Sequence, residues 1–242
     1  MRLRLTVRTT AKSLNWENVL RPGRGLIYDL LARGAPQLGE RLHEHGWGQT
    51  GMTPFGHSAP VFPSARRHRG TYAVGGTGVL EIGSPLPEVV EGLAKGLAGQ
   101  SVLDWGGTAF RVETVDVLPP PDFVSGTVLL RTSTPVVMKG SGQDEHGRRA
   151  TRQAWVLPTE PEFPTYFEAN LRRKAATVGV DPDVTVQAIT WVGPKRSFSV
   201  GQGYKPGAAV EAELRGAPET LRSIWSWGLG QANAAGFGWV IA

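Results

Sequence analysis

Two histidines lie close together in the segment Leu42-His43-Glu44-His45. Histidine suits general acid–base chemistry, because its unperturbed pKa of about 6.5 lets the ring take up and release a proton near neutral pH. His45 falls on the helical stripe formed by Leu38 and Leu42, whereas His43 points about 100° away from that stripe if the helix continues. The spacing therefore does not choose between the two rings, and a structural or surface role is the alternative for each.

A metal site explains these histidines less well. His43, His45, His57 and His68 include one His-x-His pair, but the sequence has no His-Glu-x-x-His motif and no cysteine. The lack of cysteine also excludes disulfides, thiolate nucleophiles and iron–sulfur clusters. We expect neither a metal nor another cofactor.

A glycine-rich segment lies near the end of the sequence, Gly228-Leu-Gly230-Gln-Ala-Asn-Ala-Ala-Gly236-Phe-Gly238, which we call the glycine loop. Glycines at a helix-to-strand turn permit positive φ angles and leave backbone N–H groups uncovered, so the loop could bind a phosphate or a sugar. A tight connection with purely steric glycines explains the spacing as well. The loop is not a dinucleotide fingerprint, because Gly-x-Gly-x-x-Gly fails at Asn233.

Basic side chains are in excess over acidic ones. The formal net charge of +5 and the pI near 9.8 favour an acidic partner, with nucleic acid as the first candidate. Each basic cluster alone, including Arg172-Arg173-Lys174, is also explained as a solvated face. The candidate contacts to nucleic acid are Arg24, Arg66, Arg67, Arg69, Arg148, Arg149, Lys195 and Arg196, with the glycines Gly228, Gly230, Gly236 and Gly238.

Hydrophobic periodicity predicts the elements that must position these residues in the first half of the chain. Leu3, Leu5 and Val7 alternate with charged or polar residues, among them Arg2, as in a half-buried strand. Helical spacing follows, interrupted once at Gly34-Ala-Pro36. The predicted order continues with a hairpin formed by strands at 55–62 and 71–82, a helix at 87–97 and a strand at 110–117.

The triple proline Pro119-Pro120-Pro121 cannot lie inside a regular element and marks the best boundary in the sequence. After it the same order repeats, with strands at 124–138, 184–192, 195–214 and 237–241 and helices at 163–178 and 218–227. Two successive β-α-β-β-α-β units predict an α+β protein of tandem ferredoxin-like domains, one at 1–120 and one at 121–242. Gly140 to Ala154 is glycine-rich and basic, which is typical of a loop.

The sequence contains no apolar run approaching the roughly 18 residues that a membrane span needs. Its first residues alternate apolar and charged side chains, unlike the continuous apolar middle of a secretion signal. We therefore expect a cytoplasmic protein without a membrane partner.

Several short motifs, taken in order, resemble one protein family. They are Gly25-Leu-Ile-Tyr28, Leu42-His43-Glu44, Pro54-Phe55, Pro194-Lys195-Arg196, Gly228-x-Gly230 and Gly236-Phe-Gly238. In order and spacing they resemble the CRISPR-associated repeat-cleaving endoribonucleases, the sixth Cas family. The glycine loop is the most specific of these motifs and marks the wider superfamily of repeat-associated RNA-binding proteins.

The resemblance implies metal-independent cleavage of CRISPR precursor RNA within each repeat, giving guide RNAs. The attacking group would be the RNA's own 2′-hydroxyl, and the product would carry a 2′,3′-cyclic phosphate. By matching position, His43 would be the general acid or base, and Tyr28 would transfer a proton or orient the phosphate. His45 is the reserve catalytic residue. The implied partners are the precursor RNA and other Cas proteins of an effector complex.

One departure from the family pattern concerns the cation. Some members carry a lysine shortly before the Phe of the Pro-Phe element, where this sequence has Gly51-Met-Thr53-Pro54. Arg24 and the group Arg66 to Arg69 are the candidate replacements. The main alternative function is a non-catalytic RNA-binding subunit of a CRISPR ribonucleoprotein, and a small-molecule enzyme on the same scaffold is the third.

Overall fold

The computed structural model describes residues 1–140, 155–200 and 203–241. Strands and helices alternate along both halves of the chain. In the first half they are β1 (Arg2–Thr9), β2 (Ser13–Leu14), α1 (Arg21–Gly34), α2 (Pro36–Glu44), β3 (Gly56–His57), β4 (Tyr72–Ala73), β5 (Gly76–Gly83), α3 (Pro87–Leu97), β6 (Val102–Asp104) and β7 (Ala109–Leu118). In the second they are β8 (Thr127–Thr132), β9 (Met138–Lys139), β10 (Trp155–Val156), α4 (Phe163–Thr177), β11 (Thr185–Val192), β12 (Arg196–Val200), β13 (Gly203–Gly207), β14 (Val210–Arg215), α5 (Pro218–Trp227) and β15 (Val240–Ile241).

The first half forms a five-stranded antiparallel sheet in the order β3-β5-β1-β7-β6. The central strand β1 places Leu3, Leu5 and Val7 in a core shared with residues of α1 and α3, as the alternation predicts. The edge strand β6 was not predicted, because its three residues are too few to show a period.

The predicted strand at 55–62 is shorter than expected. Only Gly56–His57 pairs with β5, and an isolated bridge from Val61 to Val79 follows. Pro60 and Pro63 lack the N–H groups that a longer ladder would need.

The second half repeats the arrangement in a four-stranded sheet of order β11-β14-β8-β15. The predicted strand region at 195–214 divides into the separate hairpin β12–β13 and the sheet strand β14. The last strand begins only at Val240, because Gly238 has a φ of 63° and belongs to the glycine loop. Apart from the edge strand β6, both sheets have the same strand order, so the tandem ferredoxin-like prediction is confirmed. The domain limits at residues 120 and 121 stay a prediction.

Arg2 does not lie on a solvated face, in contrast to the alternation of the sequence. Its guanidinium lies between the rings of Trp225 and Trp239, 4.1 and 3.9 Å from their centroids. It donates hydrogen bonds to the carbonyl oxygens of Trp225 and, at 2.6 Å, of Val240. Elements of the second half cover this end of β1, so a pattern confined to one strand could not predict its burial.

In the parts of the chain that the structure describes, no helix combines the length and the apolar character needed to cross a membrane.

Candidate active site

The break between the first two helices brings Tyr28 and His43 together. Ala35 leaves the helical conformation (φ −157°, ψ 67°), and α2 restarts at Pro36. The His43 ring then lies edge-on to the Tyr28 ring, with 4.9 Å between centroids and 78° between planes. The Tyr28 hydroxyl donates to the Leu42 carbonyl oxygen at 3.3 Å. His43 itself is exposed, so its ring nitrogens are accessible to a substrate.

His45 lies at the C-terminal cap of α2. Its side chain is 77% exposed, and its Nε2 lies 3.6 Å from the Glu44 carboxylate. It has neither of the ring contacts that hold Tyr28 against His43 and Phe55.

Arg24 is the candidate cation that the structure places at this pair. It lies one helical turn before Tyr28 on α1, with its guanidinium carbon 5.6 Å from the centroid of the Tyr28 ring. It also lines a cavity of about 330 Å³ that runs along the glycine loop. The cavity is lined by Arg24, Met52, Thr53, Lys205, Trp227 and loop residues 231–235.

The group Arg66 to Arg69 lies elsewhere, on the exposed segment between β3 and β4. Arg67 lines a different cavity of about 450 Å³, together with Arg196 and Trp16. Lys195 is exposed next to Arg196, whereas Arg148 and Arg149 lie outside the described residues. The predicted basic contacts are therefore divided between at least two surfaces.

The glycine loop uses several of its backbone amides internally. The N–H of Gly228 donates to the Ile224 carbonyl, that of Gly238 to the Pro135 carbonyl and that of Gly236 to the Asn233 carbonyl, each at 2.8 Å. These three amides are therefore already hydrogen-bonded within the protein and are not available to a phosphate or a sugar. The steric explanation accounts for these glycines, and contact of the loop with RNA stays a prediction.

Lys174 holds the loop from beneath, and the sequence did not reveal this. Its ammonium donates to the Gly228 carbonyl and to Asn233 Oδ1, both at 2.6 Å. Asn233 Nδ2 in turn donates to the carbonyls of Leu229 and Phe237. Complete burial lowers the pKa of Lys174 well below its ordinary value.

The interpretation of Lys174 as part of a solvated face is wrong. It lies seven residues after Phe167 on α4, on the same buried side as Leu171. The helical spacing of Lys174 from Phe167 and Leu171 therefore indicated that its side chain is buried. The two arginines that precede Lys174, Arg172 and Arg173, concealed that signal.

His57 is the second buried titratable group at the loop. Its Nδ1 donates to the Ser58 carbonyl at 2.9 Å, and its Nε2 has no hydrogen-bond partner among the residues that the structure describes. The ring fits between two glycines: a Cβ on Gly236 would lie 2.6 Å from His57 Cε1, and a Cβ on Gly23 would overlap the ring. Burial lowers the pKa of His57 to about 4, against a smaller opposing effect of the Ser58 hydrogen bond.

We expect the stability of the protein to fall between pH 6.5 and pH 4 because of His57. The unfolded chain gains a proton at its ordinary pKa of 6.5, whereas the folded ring stays neutral to about pH 4. The free energy of unfolding should therefore lose about 3 kcal/mol over this interval and nothing more from His57 below it. Urea unfolding between pH 7.5 and pH 3.5 measures the slope.

The matched variant is His57→Asn, whose amide keeps a donor for the Ser58 carbonyl. Other groups titrate in the same interval, so the difference between the two pH profiles is the relevant quantity. Parallel profiles would contradict the assignment to His57.

No cluster of three or more acidic or histidine side chains that could hold a metal is found in the described portions of the chain.

Fold and site together define a protein of two ferredoxin-like halves whose terminal glycine loop closes a cavity beside a tyrosine–histidine pair. The family model described as CRISPR associated protein Cas6, C-terminal, matches residues 118–241, slightly more than half of the chain. The chain belongs to the Cas6 family. Membership of this family indicates a part in the processing of CRISPR repeat RNA.

Solved structures of low sequence identity share the fold along the whole chain. A CRISPR associated protein Cas6 is 22% identical with a TM-score of 0.78, covering 100% of this chain and 98% of that one. A RAMP protein binding different RNA substrates is 16% identical with a TM-score of 0.80, covering 99% and 98%. A Cas6 product complex is 18% identical with a TM-score of 0.62, covering 100% and 98%. A search among curated proteins gave no match.

Proposed function

We propose that this protein is a metal-independent endoribonuclease that cleaves CRISPR precursor RNA within its repeats. The observation that carries the proposal is the contact of the His43 ring with Tyr28, one helical turn from Arg24 and its cavity. The family and the fold shared with a protein that binds RNA and with a product complex support the choice of substrate.

The proposed reaction needs three functions from the protein. A base removes the proton of the 2′-hydroxyl, whose oxygen attacks the adjacent phosphorus. An acid protonates the 5′-oxygen as its bond to phosphorus breaks, and a cation stabilises the charge of the crowded phosphate. The products are a 2′,3′-cyclic phosphate and a 5′-hydroxyl. DNA lacks the nucleophile, so selectivity for RNA follows from the chemistry.

His43 is our candidate for one of the proton transfers. Its ring is exposed and supported from one side by the Tyr28 ring, which restricts its orientation. The Tyr28 hydroxyl proton is directed to the Leu42 carbonyl, so the geometry favours a positioning role for Tyr28. Arg24 is the candidate phosphate ligand on the same helix, and His45 remains the reserve for His43.

The proposal is tested with repeat RNA in the presence of EDTA. We expect cleavage without magnesium and a cyclic phosphate on the 5′ fragment. A substrate with a single 2′-deoxy nucleotide at the cut site should bind normally and stay intact, because only its nucleophile is missing.

Cleavage that requires magnesium, or that proceeds on the 2′-deoxy substrate, would refute the mechanism. Binding of the repeat without cleavage of any substrate would instead favour the alternative of a non-catalytic RNA-binding subunit.

A further inference from the structure

The cavity beside the tyrosine–histidine pair contains a second cation, which comes from the other half of the chain. Lys205 lies on β13, opposite Phe198 in the β12–β13 hairpin. Its side chain lines the cavity together with Arg24 of α1 and the glycine loop. Two basic side chains from distant parts of the sequence therefore face one space of about 330 Å³.

Lys205 is held in place by an aromatic ring. Its ammonium lies 4.9 Å from the centroid of the Trp155 ring, and the ammonium of Lys139 lies 5.2 Å from the same ring. A cation over an indole face is attracted by the electron density of the ring. Trp155 therefore restricts the half-buried Lys205, and it also contacts Lys139, which lines a different cavity.

Among the residues that the structure describes, no carboxylate balances the charge of Lys205. None of the ion pairs formed between described residues includes it. Burial, and secondarily the charge of Lys139, lower the pKa of Lys205. Both effects oppose the charged form, and both would be offset by an anion in the cavity. A phosphate group is one of the anions that a guanidinium and an ammonium bind together, and it is the anion that an RNA backbone supplies.

The segment that follows the histidines supplies no cation, because there is neither lysine nor arginine between His45 and Pro54. Arg41, two residues before His43 on α2, lies over the Trp47 ring with its guanidinium carbon 4.6 Å from the ring centroid. Lys205 and Arg24 are the basic side chains that line the cavity.

We propose that Lys205 is a catalytic residue that contacts the scissile phosphate across the cavity from Arg24 and stabilises its transition-state charge. This inference rests on the proposed function. Its ligand is the phosphodiester at the cut site, and its contribution should appear in the rate of cleavage more than in the affinity for RNA.

The first test is single-turnover cleavage of repeat RNA at saturating protein. Lys205→Ala should reduce the rate about 100-fold, because it removes one electrostatic contact to the transition state. Lys205→Arg keeps the charge and should recover most of that loss. Lys95→Ala removes one exposed lysine from α3 and should cleave at the wild-type rate. Thermal unfolding of each variant shows whether it is folded.

The second test does not require cleavage. Uncleavable 2′-deoxy RNA is compared with the same RNA carrying a neutral methylphosphonate at the scissile position. Lys205→Ala should weaken binding of the charged analogue severalfold and leave binding of the neutral analogue unchanged, since the contact is to that one charge.

Equal rates for wild type and Lys205→Ala would overturn the inference while leaving the proposed function intact. A loss of affinity that is the same for both analogues would also overturn it, because Lys205 would then contact a different phosphate. A wild-type protein that does not cleave refutes the proposed function and the catalytic role together, whereas the analogue comparison still reports on the phosphate contact itself.

Discussion

Replacing His43 with alanine is expected to reduce the single-turnover rate of repeat cleavage by about 10²- to 10⁴-fold, the usual contribution of a positioned general acid or base. The affinity for the repeat should change little, because the ring acts on protons and not on the charged backbone. Stability should also be nearly unchanged, since His43 is exposed and its one ring contact is with Tyr28 at the surface of α1 and α2. Gel-based cleavage at saturating protein, a binding titration and thermal unfolding measure the three quantities.

His45→Ala is the matched control. It removes the same chemical group two residues further along the chain, from a side chain that is 77% exposed and lies 3.6 Å from the Glu44 carboxylate. We expect a rate within about threefold of wild type, because removing a surface group rarely changes a site it does not touch. The reverse result, loss of cleavage in His45→Ala with full cleavage in His43→Ala, would move the catalytic role to His45.

The largest effect on stability is expected from Gly238→Ala in the glycine loop. Gly238 has a φ of 63°, a conformation that is strained for alanine. A Cβ at this position would also overlap the carbonyl oxygen of Leu229, whose own N–H donates to the Gly238 carbonyl at 2.8 Å. The obstacle is backbone, so a change of rotamer cannot relieve it. We expect a loss of about 4 kcal/mol or more in the free energy of unfolding, a large part of the roughly 5–15 kcal/mol by which natural proteins are stable.

Gly25→Ala provides the control for a glycine without such constraints. Gly25 is exposed within α1, and a Cβ there would have no atom within 4 Å. Alanine should therefore raise the free energy of unfolding by about 0.5–1 kcal/mol, the usual helix preference over glycine. Urea unfolding of both variants gives the comparison. A Gly238→Ala protein with the wild-type midpoint would mean that the loop has room that the structure does not show.

Local patterns were sufficient for most of the fold. The five helices and the long strands β1, β5, β7 and β11 were all anticipated, because each buries one face or one side and so shows its period in the sequence. The expected strands at 55–62 and 237–241 are much shorter in the structure. Pro60 and Pro63 limit the first strand, and the positive φ of Gly238 delays the start of the second. In both places a local backbone constraint overrode a correct hydrophobic pattern.

The residues of the candidate site were harder to predict from local sequence patterns. Periodicity could not separate His43 from His45. The interruption between α1 and α2 at Ala35 decides that the His43 ring contacts Tyr28. Lys205 and Arg24 line the same cavity although 181 positions separate them in the sequence, and local spacing cannot predict such a pair. The burial of His57 has the same origin, because Gly236 of the distant loop closes over its ring.

The burial of Arg2 between the rings of Trp225 and Trp239 has a consequence for the order in which the chain folds during synthesis. Arg2 is synthesised 223 residues before Trp225 and 238 residues before Val240, whose carbonyl oxygens accept hydrogen bonds from its guanidinium. The first sheet can pair β1 with β5 and β7 before that, and the Arg2 guanidinium is then hydrated at an uncovered end of β1. A chain that stops before residue 225 lacks both acceptors, so this end of β1 stays uncovered. Only when Val240 of β15 has been added are both hydrogen bonds of the guanidinium possible.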